Sequence, residues 1–204
     1  MVDDKLPIIL AAAGGLLLLS SRKPLGVYPP LPPYTENRVK VAEYGRLPTS
    51  SPLLVNVPSS GSQQRLHVLA AKRFDALRAA AAREGFPGVR IASGWRPHLW
   101  RSRQHYEDTL IKQYGSVQAG RRIRAYNSPH ETGLAMDFGT HGLAPVSATN
   151  AQQFQTPFFK WLQGNAHRFG ISPYKGEAWH WEVKVPREAW ETGQEFTEDF
   201  SAHV

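Results

Sequence analysis

Two short stretches of this 204-residue chain hold the side chains best equipped for chemistry. "SPHETGLAMDFG" (128–139) sets His130 and Asp137 in a frame of small residues, with Gly133 between them. "EAWHWEV" (177–183) sets His180 after Glu177 and before Glu182. The chain has no cysteine, so thiolate sites are excluded and any metal must be held by His, Asp or Glu. A catalytic zinc takes three protein ligands and keeps one position open for water. His130, Asp137 and His180 would supply two imidazoles and one carboxylate, and Glu177 would handle protons as activated water attacks a carbonyl. Taken alone, His130 or His180 reads equally well as a polar residue of a loop or a surface strand. Only together do the pieces make a site.

Such residues need elements to position them. "VRIAS" (89–93), "GLAMDF" (133–138) and "AWHWEVKV" (178–185) read as strands. In the last, alternation puts His180 and Glu182 on one face and Trp179 and Trp181 on the other. Ser60 with Gln63 resembles a capping box, and Leu66, Ala70, Phe74, Leu77 and Ala81 follow at helical spacing up to Gly85. "LWRSRQHYEDTLIKQYG" reads as a second helix ending at Gly115. Thr156-Pro157 opens a third, whose stripe of Phe158, Trp161, Leu162, Ala166 and Phe169 stops at Gly170. Helices grouped first and last around separate strands predict an α+β domain, with a small, largely antiparallel sheet flanked by helices.

The N-terminus differs in character. Leu6 to Leu19, "LPIILAAAGGLLLL", is apolar and uncharged. As a helix it spans roughly 21 Å, short of the roughly 30 Å hydrocarbon core of a bilayer. Residues 1–23 are expected to form a membrane anchor or signal-like helix, although Asp3 and Asp4 offset the positive start that a signal peptide prefers. Arg22 and Lys23 would by charge alone keep the domain cytoplasmic, a vote of only two residues. Residues 24–58 hold half of the 16 prolines and read as an extended stalk, or as a strap laid over the domain. The folded domain is expected over 59–204. The net charge of +7 favours anionic surroundings such as nucleic acid, anionic lipid or an acidic wall polymer. No recognition helix or base-stacking motif is legible, which argues against nucleic acid.

Three ordered signatures, "IASGWRP" (91–97), "SPHETGLAMDFG" and "EAWHWEV", resemble those of zinc D-alanyl-D-alanine carboxypeptidases, nearest to the VanY type. That family belongs to a wider group with lysostaphin-like peptidases and hedgehog signalling domains. The resemblance spans about residues 60–185 and implies a hedgehog/DD-peptidase-like fold. It implies that His130, Asp137 and His180 bind Zn2+, that Glu177 is the catalytic base and then the acid, and that Arg96 stabilises negative charge on the substrate. Ser128 and Gln104 would orient the peptide, with the ring of Trp95 beside them. Trp95 stands where the family usually has Tyr, and Pro97 where a small polar residue is common. His141, four residues past Asp137, is expected to be a loop residue.

The function so implied is hydrolysis of peptidoglycan stem peptides, either as a D,D-carboxypeptidase or as an endopeptidase of the kind phages use in lysis. The expected location is the cell envelope, membrane-anchored and facing the wall, or a virion membrane or lysis component. The alternative from another class is a catalytically silent, zinc-bearing module that binds wall or a partner protein. Glu177 and Arg96, both present, favour the enzyme.

Overall fold

The structure, a computed structural model, describes residues 34–139 and 143–195. In chain order its elements are α1 (Val41–Tyr44), β1 (Leu54–Val57), β2 (Gln64–His67), α2 (Val68–Arg83), β3 (Ile91–Ser93), α3 (Arg103–Tyr114), α4 (Val117–Arg121), β4 (Ala135–Phe138), α5 (Asn150–Gln153), α6 (Pro157–Asn165), β5 (Ile171–Tyr174), β6 (Glu177–Val183) and α7 (Arg187–Thr192). A four-stranded antiparallel sheet runs in the order β3-β4-β6-β5, and β1 and β2 form a separate hairpin. The expected α+β architecture with a small antiparallel sheet is the one that forms.

The sheet buries one face in an aromatic core. Phe138 of β4 packs against Phe74 of α2, Phe158 of α6 and Trp181 of β6, with ring centroids 5.8–6.5 Å apart. Directly opposed residues of an antiparallel pair share a face. Met136 lies opposite Trp181 on the core side, so Asp137 opposite His180 falls on the other face. Every residue of β4 is buried, and so is all of β6 beyond Glu177. The alternation read in "AWHWEVKV" therefore separates two covered faces, not a core face from a solvent face.

Helix boundaries follow local chemistry where nothing competes. The Ser102 hydroxyl accepts from His105 N to open α3, and Gly115 closes it in the left-handed conformation. Thr156 accepts from Phe159 N with Pro157 at the first turn of α6. The Ser60–Gln63 capping box does not form. Residues 64–67 are β2, paired antiparallel with β1, and α2 begins at Val68, capped by His67 Nδ1 accepting from Leu69 N at 3.2 Å. Ser60 N donates to Ile91 O and the Gln63 amide to Val57 O, so strand pairing has claimed the groups the box would use. Leu66 is buried, but from a strand.

The stalk reading of 24–58 also needs correction over its described part. Residues 34–58 are built into the domain, as a strap that continues into β1. Val39, Tyr44, Leu47, Leu54 and Val57 are buried in the common core. The Tyr44 hydroxyl donates to Val185 O, and Leu47 N donates to Glu131 O at 3.0 Å. A domain start at residue 59 would cut the β1–β2 hairpin. Residues 1–33, including the apolar run, and His141 lie outside the described residues. Among the described residues no helix is long and apolar enough to cross a membrane.

A fragment starting at residue 59 is therefore expected not to fold cooperatively. It loses four buried aliphatic side chains, each contributing about 1.5–3 kcal/mol, from a total stability of roughly 5–15 kcal/mol. A fragment starting at residue 34 should melt in one sharp transition. Equal melting temperatures for the two fragments would make the strap dispensable to the fold.

Candidate metal centre

The ligand-bearing turn is fixed from several sides. Ser128 precedes a single 3-10 turn, Pro129–Thr132. The Glu131 carboxylate accepts from Ser128 N at 3.2 Å and Arg46 Nε at 2.6 Å, and contacts His98 Nδ1 at 3.0 Å. Gly133 ends the turn at φ +74, where a Cβ would stand 2.9 Å from His67 N. Its own carbonyl accepts from that N–H at 2.9 Å. Both the left-handed backbone and the close approach require glycine between His130 and Asp137. The chain then enters β4 and delivers Asp137 opposite His180.

Three donor atoms converge. His180 Nδ1 lies 3.0 Å from Asp137 Oδ1 and 3.2 Å from His130 Nε2, which is 3.2 Å from the same Asp137 oxygen. The far nitrogens of both rings are already occupied. His130 Nδ1 donates to Gly94 O at 2.6 Å, and His180 Nε2 donates to Glu182 Oε1 at 2.9 Å. These bonds fix which nitrogen of each ring turns towards the carboxylate, Nε2 of His130 and Nδ1 of His180. A tetrahedral ion with bonds of about 2.0 Å has ligand atoms about 3.3 Å apart. Among the described residues this is the one His/Asp/Glu cluster with metal-holding geometry, and all three members are buried. Donor type, spacing and orientation fit a divalent cation.

Charge at the site is strongly organised. Burial opposes ionisation of Asp137, but His130 and His180 outweigh it and hold the carboxyl well below its usual range. Burial likewise opposes charge on His180, yet the Asp137 and Glu182 carboxylates push it up to about 9. Burial lowers His130, with Asp137 only partly compensating. Without metal, one proton held on His180 thus occupies the space between the three donors.

The remaining expected residues divide. Glu177 opens β6, half-buried. Burial raises its carboxyl above the usual range, His180 and Arg38 oppose that rise, and Asp137 adds to it. Arg96 leaves its side chain 53% exposed, with Nη2 3.8 Å from Asp137 Oδ2, and its backbone N donates to His130 O at 3.3 Å. Both therefore flank the triad. Ser128 sits half-buried at the head of the ligand turn. Trp95 departs from expectation: it is 8% exposed, belongs to the core cluster and lies under Arg65, so its ring is not presented to a peptide. Gln104 is exposed on α3, its amide donating to Asp108 Oδ1 at 2.7 Å, a bond within the helix and not towards the triad.

The model of one sequence family, described as VanY, D-alanyl-D-alanine carboxypeptidase, matches residues 63–191, more than half of the chain and all of the triad. The chain belongs to the VanY family. Among solved structures, the LdcB LD-carboxypeptidase shares 25% identity over 72% of this chain and 75% of its own, with a TM-score of 0.51. A mutant of the vancomycin-resistance D,D-pentapeptidase VanY from a VanB-type cassette, in complex with Zn(II), shares 22% identity over 72% of this chain and 86% of its own, at TM-score 0.44. DacB from Streptococcus pneumoniae shares 27% over 64% and 73%, at TM-score 0.40. No curated protein gives a significant match in sequence.

Two features of this VanY-family site were not read from the sequence as parts of it. Gly94 orients His130 through its carbonyl, which no side-chain pattern marks. Glu182 orients His180. Its position two residues on, sharing a face, was visible, but in sequence it reads as a rival base. The structure leaves it 1% exposed and fully engaged.

Proposed function

We propose that this chain is a zinc-dependent peptidoglycan peptidase that hydrolyses a peptide bond of the stem peptide. Removal of a terminal D-Ala is the activity its family name carries, and an endopeptidase cut within the stem is the variant that an open-ended groove would allow. The observation that supports it most is the convergence of His130 Nε2, Asp137 Oδ1 and His180 Nδ1 at 3.0–3.2 Å. Zinc is the cation assigned, because two imidazoles and one carboxylate are its common catalytic ligand set, and when bound it supplies Lewis-acid activation of water and carbonyl.

The chain's own groups do the rest. Glu177, its carboxyl raised by burial, takes a proton from the attacking water and returns it to the leaving amine. Arg96 extends a guanidinium past Asp137 into solvent, where it offsets negative charge growing on the substrate's carbonyl oxygen. Ser128 borders the ligand turn and orients the peptide. Digestion of purified peptidoglycan by the zinc-loaded protein, followed by mass analysis of the fragments, tests the reading and identifies the bond. Intact stems in the presence of bound zinc would sink the enzyme and leave a silent binding module.

Residues 1–23 are assigned as a membrane tether, placing the domain in the cell envelope or, for a phage product, in a virion membrane or lysis apparatus. Deleting them is expected to move the protein from the membrane to the soluble fraction with cleavage intact. Retention in the membrane fraction after the deletion would refute the tether.

A further inference from the structure

The strap does more than pack. Glu182 lies inside the domain, two residues past His180, and its carboxylate is shared three ways. Oε1 is 2.9 Å from His180 Nε2 and 3.1 Å from Arg38 Nε, while Oε2 accepts the N–H of Val39. Arg38 and Val39 are separated from Glu182 by more than 140 residues of sequence, and they precede the family-matched stretch, which starts at residue 63. The guanidinium also stacks over the Tyr174 ring, 3.9 Å from its centroid. That ring meets the His180 imidazole edge-on, with centroids 5.9 Å apart. Further along the strap, Arg46 holds Glu131, the neighbour of His130, at 2.6 Å.

Arg38 Nε lies at one oxygen of the Glu182 carboxylate and the Val39 N–H at the other, so the strap fixes where that carboxylate stands. Oε1 so placed accepts the His180 Nε2–H. That bond orients the ring and turns Nδ1 towards Asp137. We propose that Arg38 is a positioning residue of the metal centre, acting through Glu182 on His180. The strap outside the family-matched stretch is on this account part of the metal site. Arginine suits the place because its flat face lies on Tyr174 while Nε stays at the carboxylate; a lysine keeps the charge but not the stack.

The inference rests on the metal-site reading above, and its test reads metal affinity before activity. Full-length wild type, Arg38→Ala, Arg38→Lys, Glu182→Gln and the Arg38→Ala/Glu182→Gln double variant are titrated with zinc against a chromophoric chelator. Cobalt(II) absorption reports the ligand field, and melting temperature is recorded without metal. Outer-shell partners of metal-bound histidine typically change affinity 10- to 100-fold, so Arg38→Ala is expected to weaken zinc binding by about that factor and to shift the cobalt bands. Arg38→Lys should recover part of the loss. The double variant should bind no more weakly than Glu182→Gln alone, because Arg38 acts through that carboxylate.

Unchanged zinc affinity in Arg38→Ala would overturn the proposal. So would losses that multiply in the double variant, or a loss that follows only a lowered melting temperature with the cobalt bands unmoved. Should Arg38→Ala fail to melt cooperatively, Arg38→Lys carries the test, and wild-type affinity with wild-type cobalt bands there overturns it. A wild-type chain that holds zinc and loses it as expected in these variants, yet cuts no stem peptide, refutes the peptidase and leaves the role of Arg38 standing. A wild-type chain with no zinc affinity refutes both.

Discussion

Glu177→Gln is expected to leave zinc binding and the fold intact and to slow stem-peptide hydrolysis by roughly 100- to 10,000-fold, towards the upper end. The amide keeps the size of the side chain and loses only the capacity to accept and return a proton. One group is proposed to serve both transfers, so both fail together. The position suits this role. Glu177 starts the strand that carries His180, is half-buried, and is not among the three converging donors. A raised carboxyl is a better base for water than an ordinary one, since it holds a proton more firmly between the two steps. Glu182 provides the contrast. At 1% exposure, and bonded to His180 Nε2 on the side away from the other two donors, it has no path to a substrate. Glu182→Gln should act on metal affinity, Glu177→Gln on turnover at full zinc occupancy. Arg96→Ala should also retain zinc and cost on the order of 100- to 1,000-fold in turnover. Turnover and bound zinc measured on the same samples separate the cases. Full activity of Glu177→Gln with zinc bound would remove it as the base.

What could be read in the sequence was whatever short-range chemistry decides. Thr156-Pro157, Gly115 and Gly170 mark helix ends because their caps involve neighbours in the chain; the second helix, expected from Leu99, starts only at Arg103 behind the Ser102 cap. The triad was legible because each ligand sits in a compact motif, and the motifs come in order. Sequence left the strap level with a free stalk, and set the domain start at 59, because Pro-rich sequence without period looks like a spacer. Its burial depends on partners such as Val185 and Glu182, more than 140 residues away. The false capping box at Ser60 arose the same way, since local propensity yields where strand pairing takes the same backbone groups. Trp95 was placed with the substrate through its position in the "IASGWRP" signature, where the resembled family usually has Tyr. Alternating side chains along an extended stretch point opposite ways, and Trp95 went into the core.

Changing any one of His130, Asp137 or His180 to Ala is expected to abolish tight zinc binding, and with it all hydrolysis. With binding of the whole set on the scale of 10 kcal/mol, loss of one of three ligands removes about 3 kcal/mol, or roughly 100- to 1,000-fold in affinity. The two histidines differ in what surrounds them. His130→Ala leaves the Gly94 carbonyl without its donor, and His180→Ala leaves Glu182 with Arg38 and the Val39 N–H but no imidazole. Asp137→Ala removes the anion around which both rings are arranged. The same arrangement sets the pH dependence for the wild type. The metal-free protein holds a proton on His180 with a pKa of about 9, so at neutral pH zinc must displace it. Apparent affinity should rise about tenfold per pH unit up to about pH 9 and flatten above it, with a proton released on binding. Calorimetric titration in buffers of different ionisation enthalpy measures that release directly. Zinc uptake at pH 7 without proton release, or full retention of zinc in one of the three alanine variants, would show that the ligand set is not the one assigned.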